Sequence, residues 1–239
     1  NVVLNTAVSD ALDKMYELLA PVKKEDLMEE THKLLKELLK RHERILFNGN
    51  GYTDEWVKEA EKRGLYNLKS LPEAVPALLS DKNVRLFEKH HIFTEVELRS
   101  RYEVYLENYR KTIRIEALTM MEMIRKDFTS ALLDYETAVS KEMAKKKSLI
   151  PESPLVLEKS ILLKLDKASC AICDGMDRLH KALAAAEAEE DSLKAALLYH
   201  DSVLKEMEVL RAAADQAEEM IPEKYLAYPT YSKLLFSVR

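Results

Sequence analysis

Glycine is scarce in this chain, with four in 239 residues, and proline numbers seven. Glycine supplies the positive-φ positions of tight turns and proline presets others, so a fold of many short strands and hairpins is poorly served. Two cysteines make no disulfide framework in a chain of this size. An excess of positive charge is missing too: the formal charge is −5, whereas a general nucleic-acid surface needs a basic stripe. No apolar run approaches the roughly 20 residues of a membrane span. The N-terminus lacks the basic flank and continuous apolar segment of a signal peptide, so a cytoplasmic protein is expected. The chain does not begin with methionine. Asn1-Val2-Val3-Leu4-Asn5-Thr6 reads as the interior of a domain, and a piece of a longer protein is expected. What remains is rich in Lys, Glu, Ala and Leu, as in helical bundles, with length for one or two domains and a sizeable core.

The chain is organised around Thr94 to about Ser148, a stretch without Gly or Pro. Thr94-Glu95-Val96-Glu97 has the form of a capping box, in which the Thr94 hydroxyl and the Glu97 carboxylate each serve the other's backbone N–H. Leu98, Tyr102, Tyr105, Tyr109, Ile113, Ala117, Met120, Ile124, Phe128, Ala131, Tyr135 and Ala138 then recur in steps of three and four, one helical face over many turns. Unbroken, this is a helix about 80 Å long at 1.5 Å per residue, too long for one compact core. Its first half is expected on the residues before it and its second half on those after.

Upstream, Ala7 to Ala20 reads as a helix with Val8, Leu12, Met15, Tyr16 and Leu19 on one face, ended by Pro21. Glu25 to Leu46 reads as another, striped by Leu27, Leu34, Leu35, Leu38 and Ile45. Phe47-Asn48-Gly49-Asn50-Gly51-Tyr52 reads as a tight turn. Thr53 is placed to cap a short helix that Gly64 closes, and Ser70-Leu71-Pro72-Glu73 is a second capping box. Another short helix follows Ser80. Downstream, Ser153 is expected as an N-cap with Pro154 at the first helical position. A stripe of Leu157, Ile161, Leu165, Ala168, Ile172, Met176, Leu179 and Leu183 follows, and a restart at Ser192 carries the period through Leu210 and Ala217 to Pro222. The expected fold is all-α: a helical body over residues 1–93, a long-helix antiparallel three-helix bundle over 94–221, and an extended tail over 222–239. The tail carries Tyr225, Tyr228, Tyr231, Leu234, Leu235 and Phe236, and Leu234, Leu235 and Phe236 are expected to dock on helices of the body.

Few residues suggest chemistry. Cys170-Ala171-Ile172-Cys173 lies mid-helix, away from the helix N-terminus that a redox pair uses, and no further zinc ligands stand near in sequence. Two small buried residues of a packing face is the expected reading. Glu29-Glu30-Thr31-His32 and Glu88-Lys89-His90-His91 each contain the Glu-x-x-His of di-iron bundles, but one borders a lysine-rich face and the other a helix end. Phe47–Tyr52 lacks the Lys-Ser/Thr ending of a phosphate loop and follows a helix rather than a strand. No catalytic, cofactor-binding or metal-binding residue is assigned to the chain.

Several stretches resemble the C-terminal part of glutamine synthetase type III. They are Asn1–Thr6; Phe47–Tyr52 with Glu55-Trp56; Lys58–Leu65 with Asn67-Leu68-Lys69; Ser100–Glu103 with Leu106–Tyr109; Ile115-Glu116-Ala117 with Thr119-Met120; Leu210–Asp215; and Pro229-Thr230-Tyr231 with Leu234-Leu235-Phe236. The resemblance spans nearly the whole chain but only the C-terminal part of the family's longer polypeptide. Residues 140–205 match least, and Ala227 and Ser232 stand where the family often has Pro and Gly.

The resemblance implies an intact parent that makes glutamine: ATP phosphorylates the glutamate γ-carboxylate, ammonia displaces phosphate, and Mg or Mn screens the phosphates. It implies that the ATP, glutamate and metal motifs lie upstream of Asn1, so that residues 1–93 continue the end of the catalytic domain and this chain is structural or assembly-related. The implied partners are the chain's own catalytic domain and neighbouring subunits of a stacked hexameric oligomer, with no nucleic acid and no membrane. The competing expectation is a stand-alone helical scaffold or weak metal-binding bundle.

Overall fold

The computed structural model describes residues 1–229 and 231–236, with the side chains of Tyr231 and Ser232 left out of account. The Pro229-Thr230-Tyr231 motif and the Ser232 departure therefore fall partly outside the described residues. Among the described residues the protein is all helix and turn. It divides into two compact units, residues 1–105 and 106–239.

The first unit opens with α1 (Val2–Leu19), five residues earlier than the sequence suggests, and α2 (Leu27–Arg41), followed by a 3-10 turn. α3 (Asp54–Lys62) starts at Thr53, whose hydroxyl accepts the Trp56 N–H at 3.4 Å. It ends at Gly64, φ +71°, where the Leu65 N–H reaches the Ala60 carbonyl at 2.9 Å. That left-handed position closes the helix and is what glycine accepts without strain. α4 (Leu71–Ala74) carries its capping box, with the Ser70 N–H donating to Glu73 Oε2 at 2.9 Å. α5 (Asp81–Lys89) ends in the same kind of turn as α3, but with His91 at φ +52° in the glycine place. The Ile92 N–H reaches the Phe87 carbonyl there at 3.0 Å.

This unit buries little. Thr6, Pro72, Val75, Phe87 and Leu98 are its only buried residues among those described. On α1 the stripe Val8, Leu12, Tyr16 exists at helical spacing but lies open, at 50%, 59% and 70% exposure. Leu27 and Leu35 on α2 are open as well.

α6 (Glu95–Met123), a π-helical turn at Ile124–Phe128 and α7 (Thr129–Leu149) form one uninterrupted rod. Its capping box is in place: the Thr94 N–H donates to Glu97 Oε2 at 2.8 Å and the Glu97 N–H to Thr94 Oγ1 at 3.3 Å. At the π turn the Ile124 carbonyl accepts both the Thr129 backbone N–H and, at 2.7 Å, its hydroxyl. The seam of this rod differs from expectation at Tyr105, which is half exposed, whereas Leu106 is fully buried. Seven residues bring a helix almost back to the same face, so Leu106 aligns with Ile113 and Tyr105 with Leu98. The buried positions of α6 thus pass from the register of Leu98 to that of Leu106 and Ile113.

In the second unit, α8 (Val156–Ala188) follows a short turn, and α9 (Ser192–Leu198), a second π turn at Tyr199–Val203 and α10 (Leu204–Glu218) make the third rod. Ser153 is not the cap of α8. Leu155 takes that place at φ +53°, a strained conformation for a bulky residue, and is 4% exposed. Burial of its side chain is what holds the strain. Lys146–Glu158 at 2.7 Å, Glu136–Ser169 at 3.4 Å and Arg114–Glu187 at 2.5 Å run in opposite senses along the first rod and α8, which are therefore antiparallel. One core joins all three rods, through Ile113, Ala117, Phe128, Leu165, Leu179, Tyr199 and Leu210.

The tail is not extended throughout. It makes a 3-10 turn at Glu223–Tyr225 and then α11 (Tyr231–Phe236). Tyr225, Leu226 and Tyr228 pack on the core of the second unit, with the Tyr225 ring 5.5 Å from Tyr135.

Candidate functional site

The motifs flagged in the sequence are scattered. Cys170 and Cys173 are free and exposed, contrary to the expected buried packing face. The face of α8 that packs is Leu165, Ile172, Gly175 and Leu179, and the cysteines point away from it. Glu29 pairs with Lys33 at 2.8 Å beside an exposed His32. Glu88 accepts the Glu95 N–H at 3.2 Å, and His91 is spent on the end of α5. Among the described residues no three His, Cys, Asp or Glu side chains gather as metal ligands.

The Phe47–Tyr52 loop is a turn held by its flanks. The Phe47 ring stacks on Trp56 at 4.0 Å, and Arg63 Nη1 donates to the Leu46 carbonyl at 2.8 Å while its Nε meets Glu59 at 2.7 Å. Asn50 Oδ1 accepts the Tyr52 N–H at 3.1 Å. A Cβ on Gly49 would stand 2.5 Å from the Phe47 ring, so glycine is required there by contact rather than by φ. Tyr52 is fully exposed at the tip. This is an aromatic clasp on the surface, with no backbone cradle for a phosphate.

The cluster around Asp10 ties α1 to α5. Asp10 meets Lys14 at 2.6 Å, Lys89 at 3.1 Å and His90 Nε2 at 3.1 Å, and Lys89 also meets Asp13 at 2.7 Å. The Lys14, His90 and Lys89 hydrogen bonds hold the Asp10 carboxyl far below the usual carboxylate range. The same carboxylates, Asp13 first, push the Lys89 ammonium up. Asp10 and Asp13 thus draw Lys89 and His90 of α5 onto α1, as a helix-to-helix strut requires.

A groove of about 590 Å³ lies in the second unit. Its apolar lining includes Met120, Met123, Ile124 and Met207, together with Tyr228 and Leu234. Glu116, Asp215 and Glu218 line it against a single cation, Arg211, which pairs with Asp215 at 3.3 Å. Burial pushes the Tyr228 phenol up to about 12, with Glu218, Asp127 and Asp215 adding to the rise. The groove thus combines an apolar lining with an excess of negative charge. Sequence reading placed Met120 on the helical stripe but could not bring Met207 and Tyr228 to it. Among its described lining residues there is no Ser, Cys, Lys or His.

A family model described as the glutamine synthetase C-terminal domain matches residues 30–147. A glutamine synthetase of Butyrivibrio fibrisolvens is 51% identical over 90% of this chain and 31% of its own length. A type-3 glutamine synthetase of Dictyostelium discoideum is 28% identical over 98% of the chain and 33% of its own length. A glutamine synthetase of Bacteroides fragilis is 27% identical over 99% of the chain and 33% of its own length. The chain spans about a third of the length of the curated relatives it matches.

Proposed function

Residues 30–147 belong to the glutamine synthetase C-terminal domain family, and from that membership we propose that the chain is the C-terminal part of a type-3 glutamine synthetase. The whole protein would be a cytoplasmic, oligomeric ligase that joins glutamate and ammonia at the expense of ATP. In this reading the present residues are structural and assembly-related. ATP and Mg or Mn would be held by residues of the longer polypeptide. In the same reading, the phosphoryl-transfer chemistry belongs to that longer polypeptide.

The observation that carries the reading is the open apolar face of the first unit. Five buried residues in 105 do not make a self-sufficient core, whereas Val8, Leu12 and Tyr16 on α1 with Leu27 and Leu35 on α2 offer stripes shaped for a partner. At about 25 cal/mol per Å², covering such a face supplies several kcal/mol. The occupant proposed is the chain's own catalytic domain, with neighbouring subunits beside it. Docking of Leu234, Leu235 and Phe236 on residues 1–93 belongs to the same proposal, and all three are more than half exposed.

Two measurements test this. Glutamine formation and ATP–Mg calorimetry on the 239-residue chain should show neither turnover nor binding; micromolar ATP affinity overturns the proposal. Leu12→Asp should leave the melting of this chain unchanged but destabilise the longer protein that contains it. Equal effects in both would mean that the α1 stripe has no partner.

A further inference from the structure

The second unit carries a surface that matches its own groove. At the turn between α7 and α8, Leu149, Ile150, Val156 and Leu157 are 82%, 56%, 69% and 67% exposed. Residues 141–164 around them hold six lysines against three glutamates, in a chain whose net charge is −5. The groove holds the inverse pattern, a lining that includes three methionines with three carboxylates against one arginine. Unbranched methionine side chains adapt to the shape of an incoming aliphatic group. Charge complementarity of this kind steers encounter and selects partners.

The two surfaces cannot meet within one copy. Between Phe128, the last groove-lining residue of the first rod in sequence, and Leu149 the rod runs as α7, about 30 Å at 1.5 Å per residue. We propose that the groove of one copy receives the basic, apolar α7–α8 turn of a second copy, making a head-to-tail contact between subunits. The proposal names the partner for the assembly role above and rests on that reading. A turn seated in a groove is smaller than a standard interface, so the contact is weak alone and gains strength only by repetition in an oligomer. Being different surfaces on the two sides, it builds rings or chains rather than an isolated pair.

Sedimentation velocity of the 239-residue chain across concentration and salt tests it. Lys145→Glu with Lys147→Glu should weaken self-association at least tenfold, and Glu116→Lys with Glu218→Lys should do the same. An equimolar mixture of the two double variants should recover association, because one basic turn still meets one acidic groove. Raising salt should weaken the wild-type contact several-fold. A second readout does not depend on the groove variant folding well: in a Cys170→Ser, Cys173→Ser background, Met123→Cys and Leu149→Cys on separate copies should form a disulfide under mild oxidation. The proposal is overturned by double variants that associate like wild type, by no cross-link between mixed copies, or by binding of the turn to phosphatidylglycerol vesicles without self-association. Association lost only when residues 231–239 are removed would assign the groove to the tail instead. The Leu12→Asp comparison is unaffected by any of these results, so failure here leaves the catalytic-domain docking standing.

Discussion

Gly175 of α8 faces Leu210 of α10: a Cβ built on Gly175 would lie 3.1 Å from Leu210 Cδ1 and 3.5 Å from its Cα. A glycine inside a helix costs roughly 1 kcal/mol against alanine. Here it lets the two helices approach with backbone against side chain, and Leu210 is fully buried as a result. Gly175→Ala should change stability by less than about 1 kcal/mol, since helix propensity offsets a small shift of the Leu210 methyl. Gly175→Val should lose about 2 kcal/mol to overpacking. Urea denaturation separates the two; a valine variant as stable as wild type would mean that the helices stand further apart.

His91 closes α5 in the left-handed region at φ +52°. Such a conformation costs an L-residue about 1–2 kcal/mol that glycine does not incur. His91→Gly should therefore raise stability by about 1 kcal/mol, read as a higher urea midpoint at constant slope. A lower midpoint would show that the imidazole makes a contact worth more than the strain.

Asp10, 13% exposed at its side chain, should be the most pH-sensitive point of the α1–α5 strut. Its carboxyl is depressed by Lys14, then His90 and Lys89, so its contribution is complete above the ordinary carboxylate value of about 3.9 and fades as the pH falls below it. Wild type should melt above Asp10→Asn at pH 7, and the gap should narrow by pH 3. A gap that is constant over this range would show that the charge of Asp10 plays no part.

Leu106 and Tyr105 give a direct test of the register of the first rod. Leu106→Ala should cost about 2–5 kcal/mol, the usual range for a buried leucine. Tyr105→Asp, with the ring 46% exposed, should cost less than about 1 kcal/mol in this chain. The reverse order would restore the seam through Tyr105.

The sequence by itself determined the helical class and most element positions, because apolar spacing near 3.6 and local capping chemistry act within one turn of chain. Thr94–Glu97, Ser70–Glu73 and Gly64 are instances: each bond they make lies within a few residues. Only tertiary structure decided what neighbouring rods choose. It picked Leu106 over Tyr105, one residue apart on adjacent faces, because Leu106 shares the buried register of Ile113, which belongs to the core of the second unit. It turned Cys170 and Cys173 outward because Gly175 and Ile172 already fill the face against α10 and the first rod. It overrode Ser153 as a cap because burying Leu155 outweighed a strained φ. The groove was illegible for the same reason: Met120, Met207 and Tyr228 lie far apart in sequence, and only the antiparallel return of the chain brings them together.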